Sequence, residues 1–481
     1  MARPTFNRRQ FLKSAALVTA GGALVACQPS SSQNSEPTNV AGQSVQSTAT
    51  QSTAGQPAEP TKPAPPEVSL DAINYWAGWG GTYANQTWDQ LQKTQEFKDL
   101  LKDQKFEIKG GLSPDAFLTA VAGGTPPDGC SNVNYTDFVS RDVVVPIDNI
   151  VAASSIVKRD LFLPAYWDLG FYEGKMYGVP ANECFSRYGL YYNSKMVEDA
   201  GLDPDKPPET WDEALDWHTK LTTKDPAGNL KTIGLDPIDA EAESIWDMDG
   251  WMPGTSWGFE VYDPKTKTFN IDNPQFVDYL VTTKKFMDQV GMDNLAGLRS
   301  VQGNGTWGGS YENSVQAMII NGYWFAGESA NAKPEVAQYN KATWLPVPSS
   351  RKGTKVQSNA GHMVLFFKGA KHFDGMFKIA EFLNTKVAMD IIFNTLGWLP
   401  AQKDYLNNID PKKYAGLDFF LKSVNEVTEW IPALKCPIVS YVGDNFIQLR
   451  EKVYRNEMKP EDAAKELQRR ASEELKNQGF A

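Results

Sequence analysis

From Val68 onward, strand-like apolar runs alternate with helix-like segments, and this alternation limits the fold more than any other feature of the sequence. Residues 68–76 are typical of a buried strand, a helix is predicted over 88–102, and 106–108 follow as a second strand. Ser113 and Pro114 predict the next helix start, because a Ser hydroxyl can accept from free amides and Pro fits the first turn. This β-α-β-α order predicts an open α/β sheet.

The stretch that follows residue 67 is too long for one ordinary hydrophobic core. It contains roughly 410 residues, whereas single domains usually contain about 50 to 250. Thr210 and Glu213 match a capping box, which predicts a further helix well inside this stretch. We therefore expect an α/β protein with two lobes, each with its own core.

The first residues have the layout of an export signal. Arg8 and Arg9 precede an apolar stretch over 15–26, which is far shorter than the roughly 20 residues that a membrane-spanning helix needs. The Arg-Arg-x-Phe-Leu-Lys spacing resembles the twin-arginine export signal, although Asn7 stands where that pattern often has Ser. The sequence therefore predicts a signal peptide over 1–27.

A lipid anchor and a tether are predicted directly after this signal. Residues 24–27, Leu-Val-Ala-Cys, resemble the bacterial lipobox, in which Cys27 would be lipidated and become the mature N-terminus. Acyl chains on one residue are enough to hold a protein at a membrane when more than one chain is present. Residues 28–67 are rich in Ser, Thr, Gln, Pro and Ala, a composition that cannot offset the entropy of ordering, so we expect a disordered tether.

Charge and composition argue against several kinds of site. The formal charge is −11, and the four basic residues of 1–27 leave the remainder more acidic still, which disfavours nucleic acid as a partner. The three histidines, at 218, 362 and 372, do not stand at zinc-ligand spacing from a cysteine, so no metal site is expected. Residues 303–308 fit G-x-G-x-x-G but lack the preceding strand of a dinucleotide fold, so no cofactor is expected.

Three cysteines would remain after removal of the signal, namely Cys130, Cys184 and Cys436. In an oxidising compartment one pair can form a disulfide, and we favour Cys130–Cys184. The alternative is three buried and unreactive thiols.

Colinear motifs along the body resemble a known family. Residues 177–180 and 189–195 look like its strand leading into "YN-K", residues 207–213 like its "P-TWDE" segment, and residues 317–324 like its "AM-NG-W" strand. The turn at 123–128 and the Gly-Trp-Leu-Pro run at 397–400 also fall in the family's order. Together these motifs resemble the extracellular solute-binding proteins of ABC importers, the family that includes maltose- and oligosaccharide-binding members.

The resemblance implies the type II periplasmic-binding-protein fold, with the solute bound in a cleft between two α/β lobes. We expect lobe 1 to comprise 68–180 and about 339–388, and lobe 2 about 181–338 and 389–481. Lobe closure on the solute would be a hinge motion, and the closed form would be recognised by the permease subunits. The protein is expected to be extracytoplasmic, lipid-anchored and monomeric.

A sugar needs flat apolar surfaces for its C–H groups and polar side chains for its hydroxyls, and tryptophan offers both a ring and a donor. Trp324 ends the family's strand, at the position where the family's sugar-binding members stack a ring on the sugar, and is our first choice. Trp79, Trp246 and Trp251 lie in segments rich in glycine, where a core role is less expected, and Trp398 lies in the Gly-Trp-Leu-Pro turn. Packing in the core is the alternative for each of them.

Polar contacts are expected from two segments. Asn132 and Tyr135 follow the Pro-Asp turn, at the sheet end where α/β proteins place ligands. Glu183 and Arg187 lie on the segment that crosses between lobes, and the alternative is that they pair with one another across the surface. The residues at 129–130 and 182–184 depart from the family's pattern where it contacts ligand, so they bear on the identity of the solute.

The sequence thus predicts an extracytoplasmic binding protein that delivers a carbohydrate to an ABC importer. A peptide, a polyamine or another small solute is the alternative within the same class. A secreted glycoside hydrolase or lyase is the alternative from another class, because it would also be acidic and rich in aromatic residues, and it would need two carboxylates at a fixed separation. No enzyme activity is expected, since neither G-x-S-x-G nor H-E-x-x-H occurs.

Overall fold

The first sheet is built around β1 (Ala72–Ala77), whose six residues are all buried. An apolar run buried on both faces is typical of a central parallel strand. β2 and β3 lie on either side of it in parallel, and β14 continues the sheet in antiparallel orientation beside β3. The computed structural model describes residues 68–80, 82–131, 134–238, 251–295, 309–431 and 433–481. The strands of this sheet are β1 (Ala72–Ala77), β2 (Lys105–Lys109), β3 (Gly129–Ser131), β6 (Gly178–Ser186), β14 (Val356–Phe366) and β15 (Glu429–Ile431).

The second sheet has the strand order β13-β7-β12-β9-β8. β7 and β12 are fully buried and antiparallel, whereas β12 and β9 are parallel, so the sheet is mixed. Two short hairpins, β4-β5 and β10-β11, stand apart from both sheets. The remaining strands are β4 (Phe171–Tyr172), β5 (Lys175–Met176), β7 (Gly189–Asn193), β8 (Thr223–Lys224), β9 (Leu230–Leu235), β10 (Tyr262–Asp263), β11 (Thr268–Phe269), β12 (Gln316–Asn321) and β13 (Asn340–Thr343).

Helices cover both sheets. The predicted capping box is confirmed, since the Thr210 hydroxyl accepts from the Glu213 amide and the Glu213 carboxylate accepts from the Thr210 amide. The helix at Pro114 also begins where predicted, but the Ser113 side chain makes no capping bond. The helices are α1 (Thr82–Leu91), α2 (Gln95–Leu101), α3 (Pro114–Ala122), α4 (Tyr135–Ser140), α5 (Asp148–Ala153), α6 (Pro164–Trp167), α7 (Ser194–Asp199), α8 (Trp211–Leu221), α9 (Met252–Trp257), α10 (Pro274–Val290), α11 (Gly309–Glu312), α12 (Phe325–Ala332), α13 (Pro334–Ala337), α14 (Phe373–Leu383), α15 (Lys386–Leu396), α16 (Lys403–Asn407), α17 (Leu417–Glu426), α18 (Val439–Tyr454) and α19 (Pro460–Asn477).

Each sheet supports its own apolar core, which confirms the predicted two-lobed α/β architecture. Phe117 and Phe138 belong to the core of the first sheet, and Leu235 and Phe286 to that of the second. The chain passes from the first sheet to the second at residues 187–188, between β6 and β7. It returns between β13 and β14.

The predicted lobe boundaries are wrong at several places. β15 and most of β6, for example, lie in the first sheet beside β14, although their residues fall in the ranges predicted for lobe 2. β13 lies in the second sheet, paired with β7, although its residues fall in the range 339–388 predicted for lobe 1. α15 packs against α1 beside the first sheet, although most of it falls in the range predicted for lobe 2 from 389. Strand pairing and helix packing are long-range contacts, so the order of elements along the chain does not reveal which sheet an element joins.

The favoured Cys130–Cys184 disulfide is not formed, because Cys130, Cys184 and Cys436 are free, buried thiols. Cys130 lies on β3 and Cys184 on β6, and these strands flank opposite sides of β14. Two strand spacings amount to about 9.5 Å, which exceeds the roughly 4.4 to 6.8 Å between the Cα atoms of a disulfide. Burial raises the pKa of all three thiols, so the alternative of unreactive cysteines is the correct one.

Membrane-crossing and metal-binding elements are missing from the described part of the chain. None of its helices combines the length and the apolar character that crossing a membrane requires. Nor do three or more His, Cys, Asp or Glu side chains come close enough there to hold a metal ion.

Candidate functional site

Side chains from both sheets converge where the two lobes meet. They come from the loop after β1, from β6 and the crossing that follows it, from the region after β12, from β14 and from the turn after α15. We call this set the interlobe cluster. Its members are Trp79, Glu183, Arg187, Trp324, Glu328, His362 and Trp398.

Close backbone contacts hold the two ends of the cluster in place. After β1, the Gly111 amide donates to the Trp79 carbonyl (3.0 Å), and a Cβ on Gly80 would lie 2.6 Å from the Gly111 nitrogen. After α15, Gly397 has a φ of 72°, and a Cβ on it would lie 2.6 Å from the Cα of Gly327 in α12. These glycines let the Trp79 loop and the Trp398 turn approach their neighbours closely.

Three rings form one wall of the cluster. The Trp79 and Trp398 rings meet edge to face with their centroids 4.5 Å apart, and the His362 ring lies 5.3 Å from that of Trp398. The Trp398 indole N–H donates to the Glu328 carboxylate at 3.2 Å. The Trp79 indole nitrogen is buried and has no hydrogen-bond partner among the described residues. Trp398 and His362 are buried and Trp79 is partly exposed, so the wall presents mainly the Trp79 ring, together with one unsatisfied donor.

Glu183 and Arg187 pair with one another, as the alternative prediction stated. They are buried, however, and do not lie on the surface as that prediction expected. The Glu183 carboxylate lies 3.9 Å from an Arg187 guanidinium nitrogen and 3.5 Å from Nδ1 of His362. Glu183 is 1% exposed and Arg187 3% exposed. A buried ion pair is expensive to desolvate, and the loss of one partner is costly. The pair therefore fixes the crossing against β6, and the contact between Glu183 and His362 reaches β14.

An irregularity in the sheet lies beside this pair. The register between β6 and β14 shifts between Gly361 and Met363, at His362, and Asn182 has a φ of 62°. Bulges of this kind re-aim side chains and occur next to functional sites. The irregular stretch therefore coincides with the residues that contribute charge to the cluster.

Trp324 belongs to the cluster, but its ring is not open for stacking in this structure. It is 5% exposed, and the Arg187 guanidinium carbon lies 4.5 Å from its centroid. The ring also packs on Gly322, where a Cβ would lie 2.0 Å from a ring carbon. A sugar could stack on Trp324 only after Arg187 moves, so the first choice from the sequence remains a prediction.

Two other predicted contacts are wrong, because the residues lie in the cores. Trp251 is 1% exposed and packs against Phe276 and Phe446 inside the second lobe. Tyr135 is fully buried in the first lobe, where its hydroxyl donates to the Phe171 carbonyl at 3.0 Å. Their glycine-rich or turn-like sequence surroundings suggested exposure, but long-range packing covers both rings.

Asn132 and Trp246 lie outside the described residues, so their predicted contacts with solute remain predictions. Sequence reasoning missed Glu328 and His362 as members of the cluster. For His362 the one available signal was the Gly361-His362 pair, which also falls in the order of motifs that resembles the family. Glu328 gave no signal, because its contact with Trp398 joins residues that are 70 positions apart.

Glu328 is a buried acid of the cluster whose pKa is strongly raised. Burial is the main cause that raises its pKa to about 8, and the nearby carboxyls of Glu312 and Glu183 add to the rise, while the Trp398 N–H lowers it. Because the folded state holds the Glu328 proton more tightly than the unfolded state, protonation of Glu328 favours folding. This contribution to stability is complete below pH 4.5, the ordinary pKa of a glutamate, and is lost as the pH rises towards about 8.

Glu328→Gln is therefore expected to remove part of the pH dependence of stability, because glutamine resembles the protonated acid. Between about pH 5 and about pH 8 the wild-type unfolding free energy should fall by about 3.5 kcal/mol relative to the variant. Urea unfolding across this range measures the difference. Glu335→Gln changes an exposed carboxylate on the next helix, α13. Its plot of unfolding free energy against pH should therefore run parallel to that of the wild type. If the plots of unfolding free energy against pH were parallel for Glu328→Gln and the wild type, the raised pKa of Glu328 would be contradicted.

Comparison with known proteins identifies both the N-terminal signal and the body. Residues 5–25 match the twin-arginine translocation pathway signal sequence, and residues 81–390 match the family described as bacterial extracellular solute-binding protein. The predicted twin-arginine signal is confirmed. These two matches together indicate export to the extracytoplasmic side.

Relatives and solved structures agree with these matches. A putative binding protein of Brucella abortus is 23% identical over 291 residues, which are 58% of this chain and 65% of the relative. The diacetylchitobiose-binding protein of Streptomyces coelicolor is 25% identical over 223 residues, 44% of this chain and 42% of the relative. The chain thus spans a little under two thirds of the length of the curated relatives that it matches first. The mannotriose-bound structure of CpMnBP1 superposes with a TM-score of 0.70 at 19% identity, covering 83% of this chain and 99% of that one, which shows the shared fold.

Proposed function

The chain belongs to the bacterial extracellular solute-binding protein family, and we propose that it captures a mono- or oligosaccharide between its lobes for delivery to an ABC importer. The solute would bind at the interlobe cluster. Closure of the lobes on the sugar would present the form that the permease subunits recognise.

One observation carries the choice of a sugar: the Trp79–Trp398 ring pair with its unsatisfied, buried indole N–H. Ring surfaces suit the C–H faces of a pyranose, and an N–H donor suits a hydroxyl oxygen. Glu183, His362 and Arg187 stand beside the rings and supply further polar groups. Relatives named for diacetylchitobiose binding and solved with mannotriose favour the same class of solute.

A cationic solute such as a polyamine is the second candidate. The Glu328 carboxyl accepts a bond from Trp398, and no ion pair with a cation is formed by it in the described residues. An ammonium group beside Glu328 would also be attracted to the neighbouring tryptophan faces. We propose binding without turnover, in keeping with the family, in place of the hydrolase alternative.

A thermal-shift screen of the purified protein distinguishes these candidates, since a solute that binds the native state raises its melting temperature. The panel contains mannotriose, maltotriose, diacetylchitobiose, spermidine and a short peptide. A shift with at least one saccharide and none with spermidine is expected. A shift with spermidine alone would replace the sugar by the polyamine, and release of shorter sugars during incubation would indicate a hydrolase.

We also propose that residues 1–26 are removed, that Cys27 becomes the mature N-terminus and carries the lipid, and that 28–67 tether the body to the membrane. Cys27→Ser is expected to release the protein from the membrane fraction, because no acyl chain can then be attached. Fractionation of cells that express the full chain measures this. A protein that stays in the membrane fraction after this change would contradict lipid anchoring at Cys27.

A further inference from the structure

Helix α4 of the first lobe and the residue before it are joined to the second lobe by four side-chain hydrogen bonds, of which the longest runs from the Ser140 hydroxyl to the Pro437 carbonyl at 3.4 Å. The Thr136 hydroxyl donates to the Cys436 carbonyl at 2.8 Å. The Ser440 hydroxyl donates to the Asp137 carboxylate at 2.7 Å and accepts from the Asn134 amide at 2.9 Å. Ser440 thus uses its hydroxyl both as donor and as acceptor towards the other lobe.

Each side of this contact is anchored in its own core. Phe138 and Val139 of α4 pack in the first lobe, whereas Ile438 and Val439 at the start of α18 pack in the second. The four bonds therefore connect two separately packed bodies. They are not part of the sheet or helix of either one.

The charge on Asp137 complements the end of helix α18. The first amides of a 16-residue helix carry a partial positive charge and need acceptors, and Ile438, which precedes the helix, has no side-chain oxygen to offer. Burial raises the pKa of Asp137 above its ordinary value, and Arg141, the Ser440 hydroxyl and the amides of Ser440 and Val439 oppose this rise. Asp137 is 8% exposed, and Arg141 lies 3.9 Å from its carboxylate on the same helix. A carboxylate from one lobe thus lies at the N-terminus of a helix of the other and is bonded to it through the Ser440 hydroxyl.

We propose that Asp137 and Ser440 act as positioning residues: they latch the lobes together and thereby set the affinity for whatever solute the cleft accepts. The inference rests on the proposed function, because it requires a solute held between the lobes. The latch bonds form only where the lobes meet, so they favour the closed state. Solute affinity scales with the closed fraction, and the latch therefore strengthens the binding of every solute by the same factor.

Asp137→Asn and Ser440→Ala test the latch, with Asp128→Asn as the matched control. Asp128 is another buried carboxylate, but it accepts from the Asn74 and His372 amides within the first lobe (2.8 Å each). Dissociation constants for mannotriose, maltotriose and diacetylchitobiose are measured by calorimetry, and the radius of gyration without solute by X-ray scattering. Loss of a charge-assisted bond is expected to raise each dissociation constant by about tenfold, with the same factor for every saccharide that binds.

The latch variants should also have a larger radius of gyration without solute, whereas Asp128→Asn should lower the melting temperature and leave affinity and radius unchanged. An effect on one sugar only would show direct contact with solute and overturn the inference. Unchanged affinity with a lowered melting temperature, as in the control, would show a merely structural role and overturn it too. If wild-type protein binds no saccharide, the proposed function fails. The radius still tests the latch, and an unchanged radius in both variants would contradict it.

Discussion

Trp79→Ala is expected to weaken saccharide binding by about 30-fold, which corresponds to about 2 kcal/mol, the loss typical of a residue that dominates an interface. Trp79 is partly exposed, stands against Trp398 and has a buried indole N–H that no described residue accepts. Its removal takes away a ring surface and a donor together. Because it lies in a loop and is not fully enclosed, the melting temperature of the solute-free protein should change little.

Two further variants sharpen this expectation. Trp79→Phe keeps a ring but loses the N–H, so it should weaken binding by only about fivefold, the value of one ordinary hydrogen bond. Trp344→Ala removes another partly exposed tryptophan, which packs on Phe419 next to the second sheet and outside the interlobe cluster. It should leave affinity unchanged. Equal losses in Trp79→Ala and Trp344→Ala would mean that the loop after β1 does not contact the solute.

Gly322→Ala is expected to lower the unfolding free energy by about 2 kcal/mol, within the range for overfilling a packed site. Its Cβ would lie 2.0 Å from a carbon of the Trp324 ring, so the ring must move. Backbone strain is not the cause, because Gly322 does not have a positive φ. Movement of the ring also breaks its contact with Arg187, and solute affinity should fall as well.

The overlap with Trp324 can be tested by removing the ring. In a Gly322→Ala, Trp324→Ala double variant the added methyl group meets no ring, so the double variant should be no less stable than Trp324→Ala alone. Gly123→Ala is the control, since its φ is −74° and its Cβ would make only ordinary contacts, the nearest at 3.4 Å. Urea unfolding measures all four proteins. If the losses of unfolding free energy in the two single variants added up in the double variant, the methyl group would be destabilising the protein through a contact other than the Trp324 ring.

The fold was predictable from the sequence where local signals dominate. The alternation of strands and helices after Val68, the capping box at Thr210 and Glu213, and the family motifs all led to two α/β lobes. Lobe membership was not predictable, because β13 and α15 join their sheets through contacts with distant segments. The predicted disulfide was wrong because of another contact between distant segments: β14 lies between the strands that carry Cys130 and Cys184.

The candidate site was predictable only in part. Trp79 and Trp398 were singled out because they lie in glycine-rich turns, and the structure brings these two rings together, while their contact with solute stays a prediction. The same reasoning failed for Trp251, since residues far along the chain supply the aromatic neighbours that bury it. Trp324 was located by its motif, yet Arg187 covers the ring, which a motif cannot reveal. The sequence does not show which side chains are buried by residues that lie far along the chain.

Calorimetric titration of the purified protein with saccharides tests the central claim most directly, because it reports affinity and stoichiometry without a label. The account predicts that at least one of mannotriose, maltotriose and diacetylchitobiose binds with a stoichiometry of one, and that Trp79→Ala weakens that binding strongly. Heat from spermidine or a peptide, with none from any saccharide, would contradict capture of a sugar between the lobes.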